Sequence, residues 1–596
     1  MAPLTLTARG ALLSMTAVDG RTGDGRGETL RIGVLLDGIV VDHWVASILR
    51  EVAAAPFCEL ALFVFDAEPV RRSFPAKIWN SRHRLVFLFY TLVDGRLSGK
   101  PDDAFARIDL SSEFATVPRL EVMRSRRRRF EHRFDADTID AIRESQLDVL
   151  LRFGFDIIPG DILTAARFGV WSFHHDDNML YRGGPPLFWE MAERNPVSGT
   201  MLQMLTEGLD GGKVIYRSWS ATDPLSLRRG SNAAYWKTSH FVIRRLRDIH
   251  ERGWTYVTSL PDPADRVSYE QRVCRAPSNR QALGFLARIG TGYLKRNLIR
   301  FFFREQWVLL YRRASHPSVG TFCHTGSHPV TRGLSRFGRR RDAAGLPFQL
   351  VTPPVDRFYA DPFLLSSATD TFLVFEDFRW AAGKAVISCA RPDNMAHVKV
   401  ALDRPYHLSY PFTFSYDGRC YMIPESMDRR TIELYSAERV PDRWRFERVL
   451  MEDIAAVDAT LFHDGKRFWL FACVPEPGAS FDDELCLFYT TDLDGEWMPH
   501  PLNPIVSDVR RARPAGAVFK LGDDLIRPGQ DCSRRYGSAI VFHRIDELTV
   551  EGYSETVIDR LDGQSFRGMF AAHTYNFSDG LEVIDARRYC RRKWNL

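Results

Sequence analysis

Asp148-Val-Leu-Leu-Arg-Phe-Gly-Phe-Asp-Ile-Ile-Pro159 is the stretch on which the reading of this 596-residue chain turns. Its apolar core, Val149 to Leu151, is short and runs into Gly154 and Pro159, which predicts a strand buried on both faces, as in a parallel sheet. A second run, Phe168-Gly-Val-Trp-Ser-Phe173, places His174 at its carboxyl end. A third, Thr200 to Leu205, leads into Glu207-Gly-Leu-Asp-Gly-Gly212, so that Asp210 sits between glycines that permit a tight turn and close approach to a ligand. A carboxylate near an imidazole raises the imidazole pKa and fixes its tautomer, which makes His174 with Asp210 a candidate acid–base pair. Upstream, Leu30 to Leu36 reads as a strand, Asp37-Gly38 as a turn, and the run with Trp44, Ile48, Leu49 and Val52 as an amphipathic helix, the opening of an α/β domain. A helix capped by Asp137 is expected over Asp137 to Ser145. The charge run Arg124 to Arg129 reads as a solvated loop, with a phosphate-bearing substrate as the alternative.

At Ser172-Phe-His174, Arg182-Gly183 and Leu209-Asp-Gly-Gly212 the chain resembles the formyltransferase fold, shared by methionyl-tRNA, glycinamide ribonucleotide and sugar N-formyltransferases. The resemblance spans roughly residues 30–240. It implies a Rossmann-like α/β domain in which His174, Asp210 and Ser172 are catalytic, Ser172 partly replacing an amide donor, and Arg182 and Gly183 bind substrate. It also implies that 10-formyltetrahydrofolate lies along Phe153, Gly154, Phe155, Ile157 and Pro159. One position departs from the family: Ser172 stands where those enzymes carry an asparagine whose amide stabilises an oxyanion, a contact worth about 2.7–4 kcal/mol.

From about residue 305 the pattern changes to short β runs with Asp-Gly turns. Asp361-Pro-Phe-Leu-Leu with Phe372 to Asp377 matches Tyr410-Pro-Phe-Thr-Phe with Tyr421 to Glu425, then Val457 to Phe462 with Phe468 to Phe471, then Pro514 to Phe519 with Leu525 to Asp531. A degenerate fifth copy runs from Met569 to Ile584, and five copies predict an all-β five-bladed β-propeller. The strand near Trp307 is expected to pair with the C-terminal strands and close the ring, because an open ring exposes an edge. Residues at repeat starts converge on a propeller axis, so Asp361, Glu376, Tyr410, Glu425, Asp458, Arg513, Arg527, Gln530, Asp531 and His573 form the candidate glycan-binding set; each also reads as a turn residue satisfying backbone groups. His407 to Phe412, Tyr421 to Ser426, Asn503 to Ile505 and Arg527 to Cys532 resemble the N-terminal region of the glucosamine inositolphosphorylceramide transferase family. That resemblance implies a fold and carries no activity, since the family's glycosyl transfer belongs to a separate domain.

The expected organisation is a flexible tail (1–29), a formyltransferase-like domain (30–265), a helical connector (266–304) and the propeller (305–596). A net charge of +5 with dispersed basic residues gives no footprint for nucleic acid. Nine cysteines without a Cys-x-x-Cys pair predict free thiols, a cytoplasmic setting and no disulfide framework. Adjacent His175, Asp176 and Asp177 rarely converge on one ion, and no metal is expected. Residues 290–313 alternate basic with aromatic and aliphatic residues; the stripe reads as a helix packed between domains, with peripheral membrane contact as the alternative. The expected function is formyl transfer to an amino sugar, with the propeller holding a sugar, nucleotide-sugar or glycolipid. Two alternatives stand: glycosyl or other transfer from a non-folate donor, and a glycan-binding or glycan-hydrolysing propeller beside a vestigial first domain.

Overall fold

The computed structural model describes residues 23–67, 82–98, 102–123, 125–128, 131–207, 212–260, 273–319, 347–367 and 370–592. The first part is built on a seven-stranded sheet. In sheet order its strands are Lys213–Ala221, Val197–Met204, Val170–His174, Val149–Arg152, Leu30–Leu36, Cys58–Asp66 and Arg119–Val122. The last five are mutually parallel, and the two at the first edge run antiparallel to their neighbours. The central strands are apolar at consecutive positions because both faces are covered. Val34, Leu36, Leu151 and Trp171 pack on one side with helix His43–Ala54, through Trp44, Ile48, Leu49 and Val52. Leu35, Leu150 and Val170 pack on the other with Ile139 and Ile142 of helix Ala136–Glu144. That helix begins one residue earlier than expected, and its cap is Asp135, whose side chain accepts from the Thr138 N–H at 2.8 Å; Asp137 lies in the first turn. Within the arginine run, the backbone of Ser125–Arg128 is not a loop but pairs with Glu131–Arg133 as a short ribbon; Arg124 and Arg129 lie outside the described residues.

The propeller has five blades. Four are four-stranded sheets beginning at Arg357–Ser366, Ser409–Tyr416, Val457–His463 and Phe519–Leu521. The fifth is composite: Leu581–Arg591 pairs with Tyr575–Ser578 and with Met569–Ala571 on one side and antiparallel with Phe303–Arg313 on the other, in eleven-residue register from Phe303 opposite Arg591 to Arg313 opposite Leu581. The strand that enters the domain therefore closes the ring against its last strand. In each of the first three blades a bulge interrupts the first pair of strands, and the residue there takes a left-handed backbone: Asp361 (φ 48°), Tyr410 (φ 41°) and Asp458 (φ 54°). The sequence repeat is thus a repeat of one strained turn aimed at the axis.

Helix Asn279–Phe302 joins the two parts and starts with a capping box in which Ser278 and Gln281 satisfy each other's backbone. It is buried only through Ala282 and Phe285, so the expectation of a helix packed between domains is wrong for its second half. The domains meet instead at the sheet's antiparallel edge. Lys237 pairs with Asp483 at 3.1 Å, both fully buried, and Arg244 pairs with Glu484 at 2.8 Å and Glu476 at 2.8 Å. Trp219 exchanges backbone hydrogen bonds with Ser507 and Val509. No helix among the described residues is long and apolar enough to cross a membrane.

Candidate active site

Because Leu30–Leu36, Val149–Arg152 and Val170–His174 are parallel, Asp37, Arg152 and His174 gather at one edge of the sheet. Arg152 stands opposite Ser172, and its Nε and Nη2 donate to the Ser172 Oγ at 3.2 and 2.9 Å. Its Nη1 donates to the Gly154 carbonyl at 3.3 Å and to the Asp156 carbonyl. One guanidinium therefore holds both the hydroxyl that replaces the family's amide and the loop that follows. Ser172 is buried, so its hydroxyl reaches a reacting atom only alongside Arg152. His174 is half-buried at the end of its strand, beside Met201 of the antiparallel neighbour. Asp210 lies outside the described residues.

The loop from Phe153 to Pro159 has a fixed shape. A side-chain carbon on Gly154 would stand 2.5 Å from Asp37 Oδ1, and the same carboxylate accepts from the Phe155 N–H at 2.9 Å. Phe155 itself (φ 70°) is closed into the core against Phe134, so the expectation that its ring faces a ligand is withdrawn. Phe153, by contrast, lines a cavity of about 490 Å³ together with Asp37, Trp44 and Arg107, and Ile157 is exposed. Arg182 and Gly183 form a two-residue strand beside Val273–Cys274; Gly183 (φ 95°) is obligatory there because a Cβ would meet the Cys274 carbonyl at 2.3 Å. That pairing gives the Arg-Gly dipeptide a scaffolding part.

The residues following His174 are structural. His175 is stacked on Tyr235 at 3.7 Å and bonded to Thr238, and burial pushes its pKa down to about 3. Asp176 and Glu190 form a buried acid pair. Burial raises both; the Glu190 charge raises Asp176 further, while Glu190 reaches about 7 by burial although its hydrogen bond with Asp176 pulls it down, so at neutral pH the pair holds a proton. Asp177 faces Arg217 at 3.6 Å and receives the Trp219 indole N–H, linking this turn to the domain seam.

On the propeller axis, five blades contribute to one charged cluster. Arg513 reaches Asp458 at 2.6 Å, Asp482 at 3.0 Å and Glu425 at 3.9 Å, and Gln530 donates to Asp458 at 3.0 Å. Across the axis, Asp361 accepts from Thr574 at 2.8 Å and lies 3.5 Å from His573, which in turn contacts Asp585 at 2.5 Å. Asp361, His573 and Asp585 offer three potential metal-ligand atoms within 4.8 Å. The imidazole, its pKa raised by the two carboxylates against the pull of burial, itself supplies their counter-charge. Burial and neighbouring carboxylates raise Glu376 well above its usual value and Glu425 to about 8, while His573 limits the rise of Asp361 to about 6. His407 flanks Glu376 at 3.7 Å.

Three members of the expected set do not join this cluster. Tyr410 is fully buried, its hydroxyl bonded to Thr460 and to the Gly516 N–H, so it stitches blades together. Arg527 is clamped by Glu555 at 2.8 Å and by the Arg511 carbonyl. Asp531 pairs with Arg560 of the same blade's outer strand at 2.7 Å. Sequence reasoning missed Arg152, Asp482 and Asp585. A charged residue ending the apolar run Val149–Leu151 was the available signal for Arg152; nothing local marked the other two.

A cavity of about 440 Å³ between the domains is lined by Ser198 and Ser220 of the sheet and by Asp482 and Tyr536 of the propeller. Tyr536 lies under the Arg513 guanidinium at 4.8 Å. Ser198 is three residues along its strand from Met201, the partner of His174, which is roughly 10 Å.

Residues 351–578 match the family model described as glucosamine inositolphosphorylceramide transferase 1, N-terminal. The enzyme of that name from Oryza sativa subsp. japonica is 35% identical over 209 residues, 34% of this chain and 28% of that protein; the Arabidopsis thaliana one is 34% identical over 241 residues, 39% and 30%. The methionyl-tRNA formyltransferase of Deinococcus radiodurans is 28% identical over 143 residues, 23% of this chain and 41% of that protein. The chain thus spans less than a third of the plant relatives' length and about two fifths of the formyltransferase's. Among solved structures, a β-1,3-galactosidase aligns with a TM-score of 0.29 at 11% identity, covering 35% of this chain and 47% of that one. The phosphoribosylglycinamide formyltransferase of Anaplasma phagocytophilum aligns at 0.26 and 15%, covering 37% and 89%. The molecule is a formyltransferase-fold domain joined to a five-bladed propeller similar to the N-terminal region of the plant transferases.

Proposed function

We propose that this protein is a transferase acting on a glycoconjugate, with its reacting centre at His174 and its glycan held toward the propeller axis. The observation that carries this reading is the polar cavity between the domains, which runs from Ser198 and Ser220 at the antiparallel edge of the sheet to Asp482, the ion-pair partner of Arg513. The transferred group that suits the first site best is formyl, moved to the amine of an amino sugar. The cavity beside Phe153 and Trp44, with the Asp37 carboxylate at its wall, fits a flat aminated heterocycle such as the pterin of 10-formyltetrahydrofolate. Bound there, that molecule would supply the one-carbon group.

The chain's own residues divide the remaining work. Arg152 holds a fixed positive charge beside Ser172, where negative charge on an acyl oxygen would develop, and this replaces the missing asparagine amide with a stronger, charged donor. His174 holds or delivers the proton exchanged with the amine, and Asp210 orients it. Incubating the protein with 10-formyltetrahydrofolate and a panel of amino sugars, with mass detection of N-formyl product, tests the reading. Absence of both folate binding by calorimetry and formylated product rejects the formyl version.

A second reading places the chemistry on the axis. Glu425, held up to about 8, keeps its proton at neutral pH beside Asp458, whose carboxylate Arg513 clamps, and such a pair suits glycosyl transfer or hydrolysis. Glycoside turnover that survives His174→Ala and is lost in Glu425→Gln would favour it.

A further inference from the structure

Helix Asn279–Phe302 contains five basic residues and no acidic one. Its first half is anchored by Phe285, which meets Tyr90 at 5.2 Å and Phe188 at 5.0 Å. Beyond Gly290 the helix stands clear of the core, with Tyr293 54%, Leu294 60% and Leu298 50% exposed. Helix Leu85–Ser98 packs beside it and adds Phe89, 67% exposed, and Leu92 to the uncovered apolar surface. Monomeric proteins rarely leave such an apolar patch in water.

Three of the five cations of this helix line a cavity. Arg288, Lys295 and Arg296 face Arg194 of the first domain and Arg534 of the propeller across a space of about 640 Å³ whose lining includes no carboxylate. All five are exposed, and none has an ion-pair partner among the described residues. The cavity shares Met191, Thr222, Ser533 and Arg534 with the cavity between the domains, so its positive mouth continues toward Asp482 and Tyr536.

We propose that this helix face and its cavity are a docking site for an anionic phospholipid surface, with Leu294, Leu298 and Phe89 entering the interfacial layer and a lipid phosphate seated among Arg194, Arg288, Lys295, Arg296 and Arg534. The charge complementarity selects the partner: apolar residues alone would suit any greasy surface, whereas five exposed cations around one cavity without a carboxylate favour an anion, and the exposed leucines beside them favour one that carries acyl chains. This goes beyond the transfer reaction and needs no catalysis to be tested.

Co-sedimentation of the full chain with phosphatidylcholine vesicles, with and without phosphatidylinositol, measures it. Binding is expected only to the anionic vesicles and should weaken as salt rises. At roughly fivefold per basic residue near an anionic surface, the double variant Lys295→Gln/Arg296→Gln should bind about 25-fold more weakly. Leu294→Ser/Leu298→Ser should lose binding as well. Both variants change exposed side chains, so both should melt with the wild type, which separates lost docking from lost folding. Equal binding to both vesicle types would overturn the proposal. So would saturable binding of inositol phosphate without vesicle binding, which would point to a soluble ligand, or a light-scattering dimer abolished by Leu294→Ser/Leu298→Ser without vesicle binding, which would show a second copy covering the face.

Discussion

The domain seam sets where the propeller axis sits relative to His174, and Glu484 is its most measurable element. Glu484 accepts from both Arg244 Nη atoms, at 2.8 and 3.0 Å, and from Ser507 at 3.0 Å, fully buried. Burial alone would raise its pKa; the Arg244 charge and hydrogen bonds overcome that and hold it down to about 2, against an ordinary 4.5. A depressed carboxylate stabilises the folded state above its unfolded pKa and loses that contribution as pH falls through the folded one. A carboxylate held that far below its ordinary value contributes ~3 kcal/mol at pH 7, falling to ~2 kcal/mol at pH 3.5. Glu484→Gln should therefore cost ~3 kcal/mol near neutrality, within the range of about 3–5 kcal/mol seen when one partner of a buried pair is removed. The gap between variant and wild type should narrow on acidification. Urea unfolding followed by tryptophan emission, at several pH values, reads the gap. The variant should also split the transition into two, since the seam couples two domains. A gap that stays constant with pH, or a cost below about 1 kcal/mol, would mean that desolvation cancels the pair's attraction and that the seam is held by backbone and apolar contacts.

Three further outcomes follow from the first domain. Ser172→Asn, which restores the family's residue, brings a larger side chain against Arg152; Arg152→Met should lower any formyl transfer by about 10²–10³, and Ser172→Asn should recover part of the loss only in the Arg152→Met background, as steady-state rates on the four combinations would reveal. Glu190→Gln removes a carboxyl whose folded pKa is raised to about 7, so the wild type should lose stability more steeply as pH rises from about 4.5 to 7 than the variant, which keeps only the raised Asp176, and melting temperatures across that window test this. Gly154→Ala puts a carbon 2.5 Å from Asp37 Oδ1 and should cost roughly 1–3 kcal/mol as overpacking, with loss of ligand binding beside Phe153 measurable by calorimetry.

What the sequence made legible was periodic. Apolar runs ending in His174 and Arg152 translate directly into strand ends, and parallel strands must bring those ends together. The propeller was readable because one bulged turn recurs, as Asp361, Tyr410 and Asp458, and because ring closure demands a partner for the last strand, which Phe303–Arg313 supplies. Pairing across blades was not readable. Arg527 looks like an axial residue by position, yet Glu555, 28 residues on, captures it within its own blade. Tyr410 occupies the same turn as Asp361, but its ring is buried in the core, where its hydroxyl bonds Thr460. The helix after Ser278 shows a further limit: alternating basic and apolar residues read alike whether a helix is packed or exposed, and only the surrounding structure separates the two.

The most direct test of the central claim is the rate of formyl transfer from 10-formyltetrahydrofolate to amino-sugar acceptors by the wild type and by His174→Ala, with equal melting temperatures as the control. A protein that works through His174 should yield formylated product as the wild type and lose about 10²–10⁴ of that rate in the variant, the usual contribution of a positioned acid or base. A variant that transfers as fast as the wild type, or a wild type that transfers nothing while Glu425→Gln abolishes glycoside turnover, would move the chemistry from the sheet edge to the propeller axis.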